Sequence, residues 1–83
     1  MNIIETEAER QTGYKTGEAD IAKWVEKYGI LDTIDLCDEK IVQLWDSAMV
    51  TDIEDPKVSP YVQGLSRSYE DFMRRHTKKI VGP

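Results

Sequence analysis

The chain has 83 residues and a mass of 9.6 kDa, which is enough for one small domain with one hydrophobic core. With 40% hydrophobic and 33% charged residues, it is too apolar for a disordered tail and too charged for a membrane span. These values exclude an enzyme with separate nucleotide and substrate domains, and they predict a soluble globular protein.

The net charge of −5 is divided unequally along the chain. Residues 1–55 hold fourteen carboxylates and five basic side chains, a balance of −9, whereas residues 56–83 hold six basic side chains and two carboxylates, a balance of +4. Such asymmetry can steer charged partners over about 8–10 Å, the Debye length at physiological salt. The pattern predicts an acidic body with a basic C-terminal end.

Cysteine content and the N-terminus indicate a compartment. Cys37 is the only cysteine, so it predicts neither an internal disulfide nor a thiolate cluster around zinc or iron. The first ten residues turn acidic after two isoleucines, where a signal peptide requires a basic start and a long apolar stretch. Since no run of 18 apolar residues occurs either, we expect a cytoplasmic protein that does not contact membranes.

The first predicted segments are an N-terminal arm over residues 1–17 and a helix over about 18–28. The arm has no sustained apolar period and is interrupted by Gly13 and Gly17, so we expect it to be irregular or partly helical. Gly29 ends the helix. The apolar residues of this helix have the spacing i, i+3, i+4 and i+7: Ile21, Trp24, Val25 and Tyr28.

A second helix is predicted over about 33–50, capped by Asp32 or Thr33. Residues before Pro56 avoid the helical conformation, so a loop over about 51–58 follows. The apolar residues of the second helix show the strongest helical period in the chain: Ile34, Cys37, Ile41, Leu44, Trp45 and Ala48.

The third predicted helix covers about 60–80, with Ser59 as its cap and Pro60 at its first position. Gly64 indicates either close packing in the first turns or a later start at Ser66. The apolar stripe of this helix contains Val62, Leu65, Tyr69, Phe72, Met73, His76 and Ile80.

No alternating strand pattern, internal repeat or low-complexity segment occurs. The predicted fold class is therefore all-α: a small three-helix domain over residues 18–83 with an irregular or partly helical N-terminal arm.

Groups that enzymes use for catalysis are scarce. His76 is the only histidine, and Arg75 and Lys78 beside it make it a poor proton acceptor, so we expect it to pack on a neighbouring ring or on Ile80. Cys37 has the spacing of a core residue, and nearby carboxylates oppose a reactive thiolate. The sequence predicts no catalytic activity, and an enzyme stays an alternative only if a metal is bound.

Metal and phosphate motifs are incomplete. A calcium loop needs oxygen ligands at alternate positions around a central glycine, and neither carboxylate cluster has that spacing. The Gly13–Gly17 segment lacks the Gly-Lys-Ser/Thr ending of a phosphate-binding loop. We therefore predict no cofactor. The two clusters are Asp32, Asp35, Asp38 and Glu39, and Asp52, Glu54 and Asp55.

The C-terminal helix carries the candidate binding surface. Arg74 with Lys78 and Arg75 with Lys79 are like-charge pairs four residues apart, which is more positive charge than a helix C-terminus requires. A domain of this size cannot bury all its tyrosines and methionines, and exposed aromatics beside arginines are typical of interfaces. The predicted partner-binding residues are Tyr61, Arg67, Tyr69, Arg74, Arg75, Lys78 and Lys79.

These features predict a small non-catalytic protein-binding module that acts as an accessory subunit, adaptor or inhibitor of a larger protein. The expected partner is a protein with an acidic patch or a second copy of the chain. Two alternatives involve nucleic acid: contact through the basic C-terminal helix, or imitation of nucleic acid by the acidic body in a basic groove. Short acidic domains of this kind are common among the accessory proteins of phages and mobile elements, so a phage protein is one expectation.

Overall fold

The computed structural model describes residues 3–49 and 58–81, and it describes the side chains of residues 6–47, 49 and 58–76. Three helices make up this part of the chain: α1 (Ile3–Tyr28), α2 (Ile30–Ala48) and α3 (Pro60–Val81). No strand occurs among the residues described. The predicted all-α class is confirmed.

All three helices contribute to one small core. Its buried apolar side chains come from α1 (Ile21), from α2 (Cys37 and Ile41) and from α3 (Tyr69 and Phe72). A ring of partly buried apolar residues surrounds it and includes both tryptophans: Trp24, Val25, Ile34, Leu44, Trp45, Leu65 and Met73.

Helix α1 begins much earlier than the predicted helix 18–28. Residues 3–17, which were predicted to belong to a separate and irregular or partly helical arm, are helical and continue into residues 18–28 without interruption. The glycines that suggested irregular structure lie instead where α1 crosses α3. A Cβ at Gly13 would overlap the carbonyl oxygen of Tyr61, and a Cβ at Gly64 would overlap the carbonyl oxygen of Arg10.

Close packing of α1 on α3 therefore explains why the arm is helical. A glycine inside a helix costs about 1 kcal/mol of propensity relative to alanine, and the two glycines, together with the missing apolar period, favoured an irregular or partly helical arm. Contact between the two backbones offsets it, because small residues let helices approach closely and bring many atoms into van der Waals contact. Of the two alternatives that Gly64 left open, the structure shows close packing: α3 starts at Pro60, and α1 packs closely on it at Gly64.

A single residue, Gly29, connects α1 to α2. Its φ of 90° is accessible to glycine at little steric cost, and it allows residues 30–32 to be helical already. The predicted cap at Asp32 or Thr33 is therefore wrong: Gly29 is the N-cap, and Thr33 donates its hydroxyl to the Gly29 carbonyl oxygen at 2.7 Å.

Helix α2 ends at Ala48, followed by Met49 in the left-handed conformation with φ of 57°. Helix α3 begins as predicted, because the Val62 amide donates to the Ser59 hydroxyl oxygen at 3.3 Å. Within the predicted loop over 51–58, only Val58 lies in the described part of the chain, and it is buried.

Candidate protein-interaction surfaces

Part of the predicted binding surface is exposed on α3. Arg67, Arg74 and Arg75 have exposed side chains, and Tyr61 at the start of the helix is 38% exposed. These four side chains are accessible at the surface, and Arg75 also donates through Nε to the Asp71 carbonyl oxygen at 3.3 Å. Lys78 and Lys79 belong to α3, but their side chains lie outside those that the structure describes.

The prediction that Tyr69 lies on the binding surface is wrong, because its side chain is only 3% exposed. Its ring packs 5.6 Å from the ring of Trp24, centre to centre, and its hydroxyl donates to Asp20 on α1 at 3.3 Å. Burial and the negative charge of Asp20 both raise the pKa of Tyr69. Its helical period placed Tyr69 among the core residues of α3, and that assignment is the one the structure confirms.

A polar seam joins α1 to α3 beside the glycine crossing. Arg10 donates through Nε and Nη2 to the side-chain oxygen of Gln63 at 3.3 and 2.9 Å, and it also pairs with Glu7. Tyr14 donates its hydroxyl to Asp71 at 2.6 Å, and this hydrogen bond, followed by burial, raises the pKa of Tyr14 to about 12.

The polar seam lines an open cleft of about 500 Å³. Hydrogen bonds between α1 and α3 already engage the Arg10, Gln63, Tyr14 and Asp71 side chains there. These side chains therefore hold α1 and α3 together, and they are not free to bind a ligand in the cleft. Its lining residues are Arg10, Tyr14, Gln63, Gly64, Arg67 and Asp71.

A second surface, which the sequence analysis missed, runs along α2. Its residues are spaced 3, 4, 4, 3 and 4 apart, and the five that belong to α2 fall within about 80° of the helix circumference, at 100° per residue. Leu31 is 66% exposed, Val42 55% and Met49 87%, whereas Ile34 and Trp45 are partly buried against the core. We call this set the outer stripe of α2: Leu31, Ile34, Asp38, Val42, Trp45 and Met49.

The charges around the outer stripe are almost all negative. Residues 30–49 contain five carboxylates and one lysine. Asp35, Glu39 and Asp46 are exposed along the edge of the stripe that faces away from the core. Lys40 is partly buried and points the other way, into a small cleft that it shares with Leu65 and Tyr69 of α3. Its charge therefore does not neutralise the acidic edge.

The spacing of the outer stripe was present in the sequence, but a neighbouring pattern concealed it. Ile34 and Trp45 also fit the stronger core period of α2, so they were assigned to the core only. Without Ile34 and Trp45, Leu31 and Val42 did not form a recognisable helical spacing in the sequence. A second helical seam next to the core seam becomes visible only when the exposure of each residue is known.

The two groups best suited to chemistry lie in the core or pack against it. Cys37 is fully buried, and desolvation raises the pKa of its thiol from 9.0 to about 11, so the thiol is protonated at neutral pH. The His76 ring packs on the Phe72 ring with 4.4 Å between centres, as predicted. In the part of the chain that the structure describes, no three His, Cys, Asp or Glu side chains are grouped so that they could hold a metal ion.

Neither the helices nor the comparisons assign a class of protein. Within residues 3–49 and 58–81, no helix combines the length and the apolarity that crossing a bilayer requires. The chain matches no family model, no curated protein and no solved structure. The function must therefore be inferred from the surfaces.

Proposed function

We propose that this chain is a non-catalytic protein-binding module, which acts as an accessory subunit, adaptor or inhibitor of a larger protein through the outer stripe of α2. The observation that carries the proposal is the exposure of Leu31 and Val42 on one side of α2 and of Met49 directly after the helix ends. Burial of apolar surface contributes about 25 cal/mol per Å², so a partner that covers these side chains gains affinity from each of them.

The basic strip on α3 is the weaker candidate for the main contact. Arg67, Arg74 and Arg75 are exposed, but charged side chains at the edge of an interface mainly affect the rate of association and contribute little to affinity. Central positions that exclude water carry most binding energy. The outer stripe of α2, which is apolar except for Asp38, offers such a centre, whereas the arginines of α3 lie among charged residues. We therefore assign the main contact to α2 and a steering role to the arginines.

A cytoplasmic location is part of the proposal. Cys37 is a free thiol in the core, and free buried thiols persist in reducing compartments. In such a compartment, an acidic domain with an exposed apolar stripe meets many folded proteins, and its negative edge disfavours contacts with other acidic surfaces.

Two matched triple variants test the proposal in affinity capture from cells of the source organism, quantified by mass spectrometry. Leu31→Gln/Val42→Gln/Met49→Gln replaces the three most exposed large apolar side chains of the outer stripe, and Arg67→Gln/Arg74→Gln/Arg75→Gln replaces the described basic side chains of α3. We expect the first variant to lose the captured protein and the second to retain most of it. Circular dichroism of both variants controls for folding.

The opposite result, loss with the arginine variant and retention with the α2 variant, would overturn the assignment to α2. Nucleic acid is the alternative partner, and it has its own readout. A shift of labelled DNA or RNA at physiological ionic strength, weakened by added salt and by the arginine substitutions, would replace a protein partner with a phosphate backbone.

A further inference from the structure

The outer stripe of α2 has the dimensions of one side of a helix–helix interface. Its residues follow spacings of three and four, and the stripe is about 27 Å long at 1.5 Å per residue. Side chains with this spacing interdigitate with the side chains of a facing helix. A helix is therefore the shape that covers the whole stripe at once.

Asp38 lies at the centre of this otherwise apolar stripe, with Ile34 four residues before it and Val42 four residues after it. Its side chain is exposed in the chain alone. A partner helix that covers the stripe would surround this carboxylate with apolar side chains. Burial without a partner charge is costly, so the facing position must supply a cation.

We infer that the outer stripe binds one basic amphipathic helix of another protein, with a lysine or arginine opposite Asp38. This inference rests on the proposed function and names the partner's chemistry. Asp35 and Asp46 lie along the stripe's outer edge, so further basic residues on the partner would lie beside them. Polar residues at a central position commonly fix register and exclude wrong partners.

A second copy of the chain does not supply this complement. Pairing two α2 helices through their outer stripes would bury both Asp38 carboxylates, and neither stripe contains a cation to pair with them. The basic strip of α3 has the right charge, but Glu70 and Asp71 lie beside its arginines, and the apolar residues of the same segment, such as Phe72, are buried in the core. It therefore lacks the apolar seam that Leu31, Val42 and Met49 require.

Three synthetic peptides of about 20 residues, which matches the length of the stripe, serve as probes. The first has leucines at helical spacing, one lysine at the centre of that seam and lysines on its flanks. The second carries glutamate at the central position, and the third has the composition of the first in a scrambled order. We expect the first peptide to bind about tenfold more tightly than either of the others at physiological ionic strength, measured by fluorescence anisotropy.

The decisive experiment reverses the charge of Asp38 on α2. Asp38→Lys should weaken binding of the lysine-centred peptide about tenfold and strengthen binding of the glutamate-centred peptide. Glu26→Lys is the matched control, because it makes the same charge change at an exposed site on α1 and should leave the preference unchanged. A gain by one peptide cannot result from a variant that fails to fold.

Equal binding of the scrambled peptide, or an unchanged preference in Asp38→Lys, would overturn the inference. So would a dimer in sedimentation analysis that the Leu31, Val42 and Met49 substitutions dissociate. Lysate capture separates these outcomes from the fate of the proposed function. If capture depends on the outer stripe while the peptides fail, the binding role stands and only the partner's chemistry is wrong.

Discussion

The contact between α1 and α3 and the exposed side of α2 show two opposite uses of a helix surface. Where α1 contacts α3, glycines without side chains allow the two backbones to touch. Hydrogen bonds such as that between Tyr14 and Asp71 stabilise the edge of this contact. Along the outer stripe of α2, large apolar side chains such as Leu31 and Met49 face solvent. We therefore regard α1 and α3 as the scaffold and α2 as the helix to which we assign the proposed contact.

The largest effect should come from adding a methyl group at the glycine crossing. Gly64→Ala gains about 1 kcal/mol of helix propensity, but its Cβ would overlap the Arg10 carbonyl oxygen, and backbone cannot move aside as a flexible side chain can. We expect a net loss of about 3 kcal/mol in the free energy of unfolding, measured by urea denaturation.

Gly29→Ala is the control for that prediction, because a Cβ at Gly29 would have no atom within 4 Å. Only its positive φ opposes alanine, at about 1–2 kcal/mol. If Gly64→Ala proved as stable as the unsubstituted chain, the description of the α1–α3 contact as a backbone crossing would be wrong.

Alkaline pH should lower the free energy of unfolding through two groups, the Cys37 thiol in the core and the Tyr14 hydroxyl at the α1–α3 contact. The pKa of Cys37 is raised from 9.0 to about 11 and that of Tyr14 from 10.0 to about 12, so the unfolded chain releases each proton first. The resulting stability is complete below pH 9 and is lost as the pH rises toward 12. Urea midpoints at several pH values measure the fall, and Tyr14→Phe should flatten it between pH 10 and 12. An equal slope in the Tyr14 variant would contradict this assignment.

Replacing each of two buried serines on α3 with alanine should change the stability of the protein in opposite directions. Ser68 lies at the α1 contact, where a Cβ on Gly17 would overlap it, and donates to the Leu65 carbonyl oxygen at 2.6 Å. Ser66, about 200° around the helix, is fully buried, and its hydroxyl has no hydrogen-bond partner among the residues that the structure describes. Ser68→Ala should cost about 1 kcal/mol, whereas Ser66→Ala should be neutral or stabilising by up to about 1 kcal/mol. Thermal denaturation of the two variants measures both effects, and a larger loss in Ser66→Ala would contradict the prediction.

The smallest effect on stability should come from the outer stripe itself. Leu31→Gln and Val42→Gln change exposed side chains, so each should alter the free energy of unfolding by less than about 0.5 kcal/mol. The same substitutions should abolish partner capture, which separates binding from folding. A loss of several kcal/mol in chemical denaturation would show that the stripe belongs to the core.

The sequence predicted the elements whose signals are local. Ser59 and Pro60 marked the start of α3, and the core period of α2 placed Cys37 and Ile41 correctly. It could not predict the helical state of residues 3–17, because the effect of Gly13 depends on a helix some fifty residues away in the chain. The spacing of Tyr69 favoured the core, whereas the number of tyrosines in so small a domain favoured exposure of some of them. Its packing on Trp24 decides for the core.

Methionine oxidation in the presence and absence of the captured protein tests most directly whether α2 makes the contact. Met49 is 87% exposed in the free chain and should react readily with peroxide, whereas the partly buried Met73 of α3 should react slowly in both states. Binding through the outer stripe predicts a several-fold slower oxidation of Met49 in the complex. An unchanged rate at Met49 in a fully formed complex would contradict that role for α2.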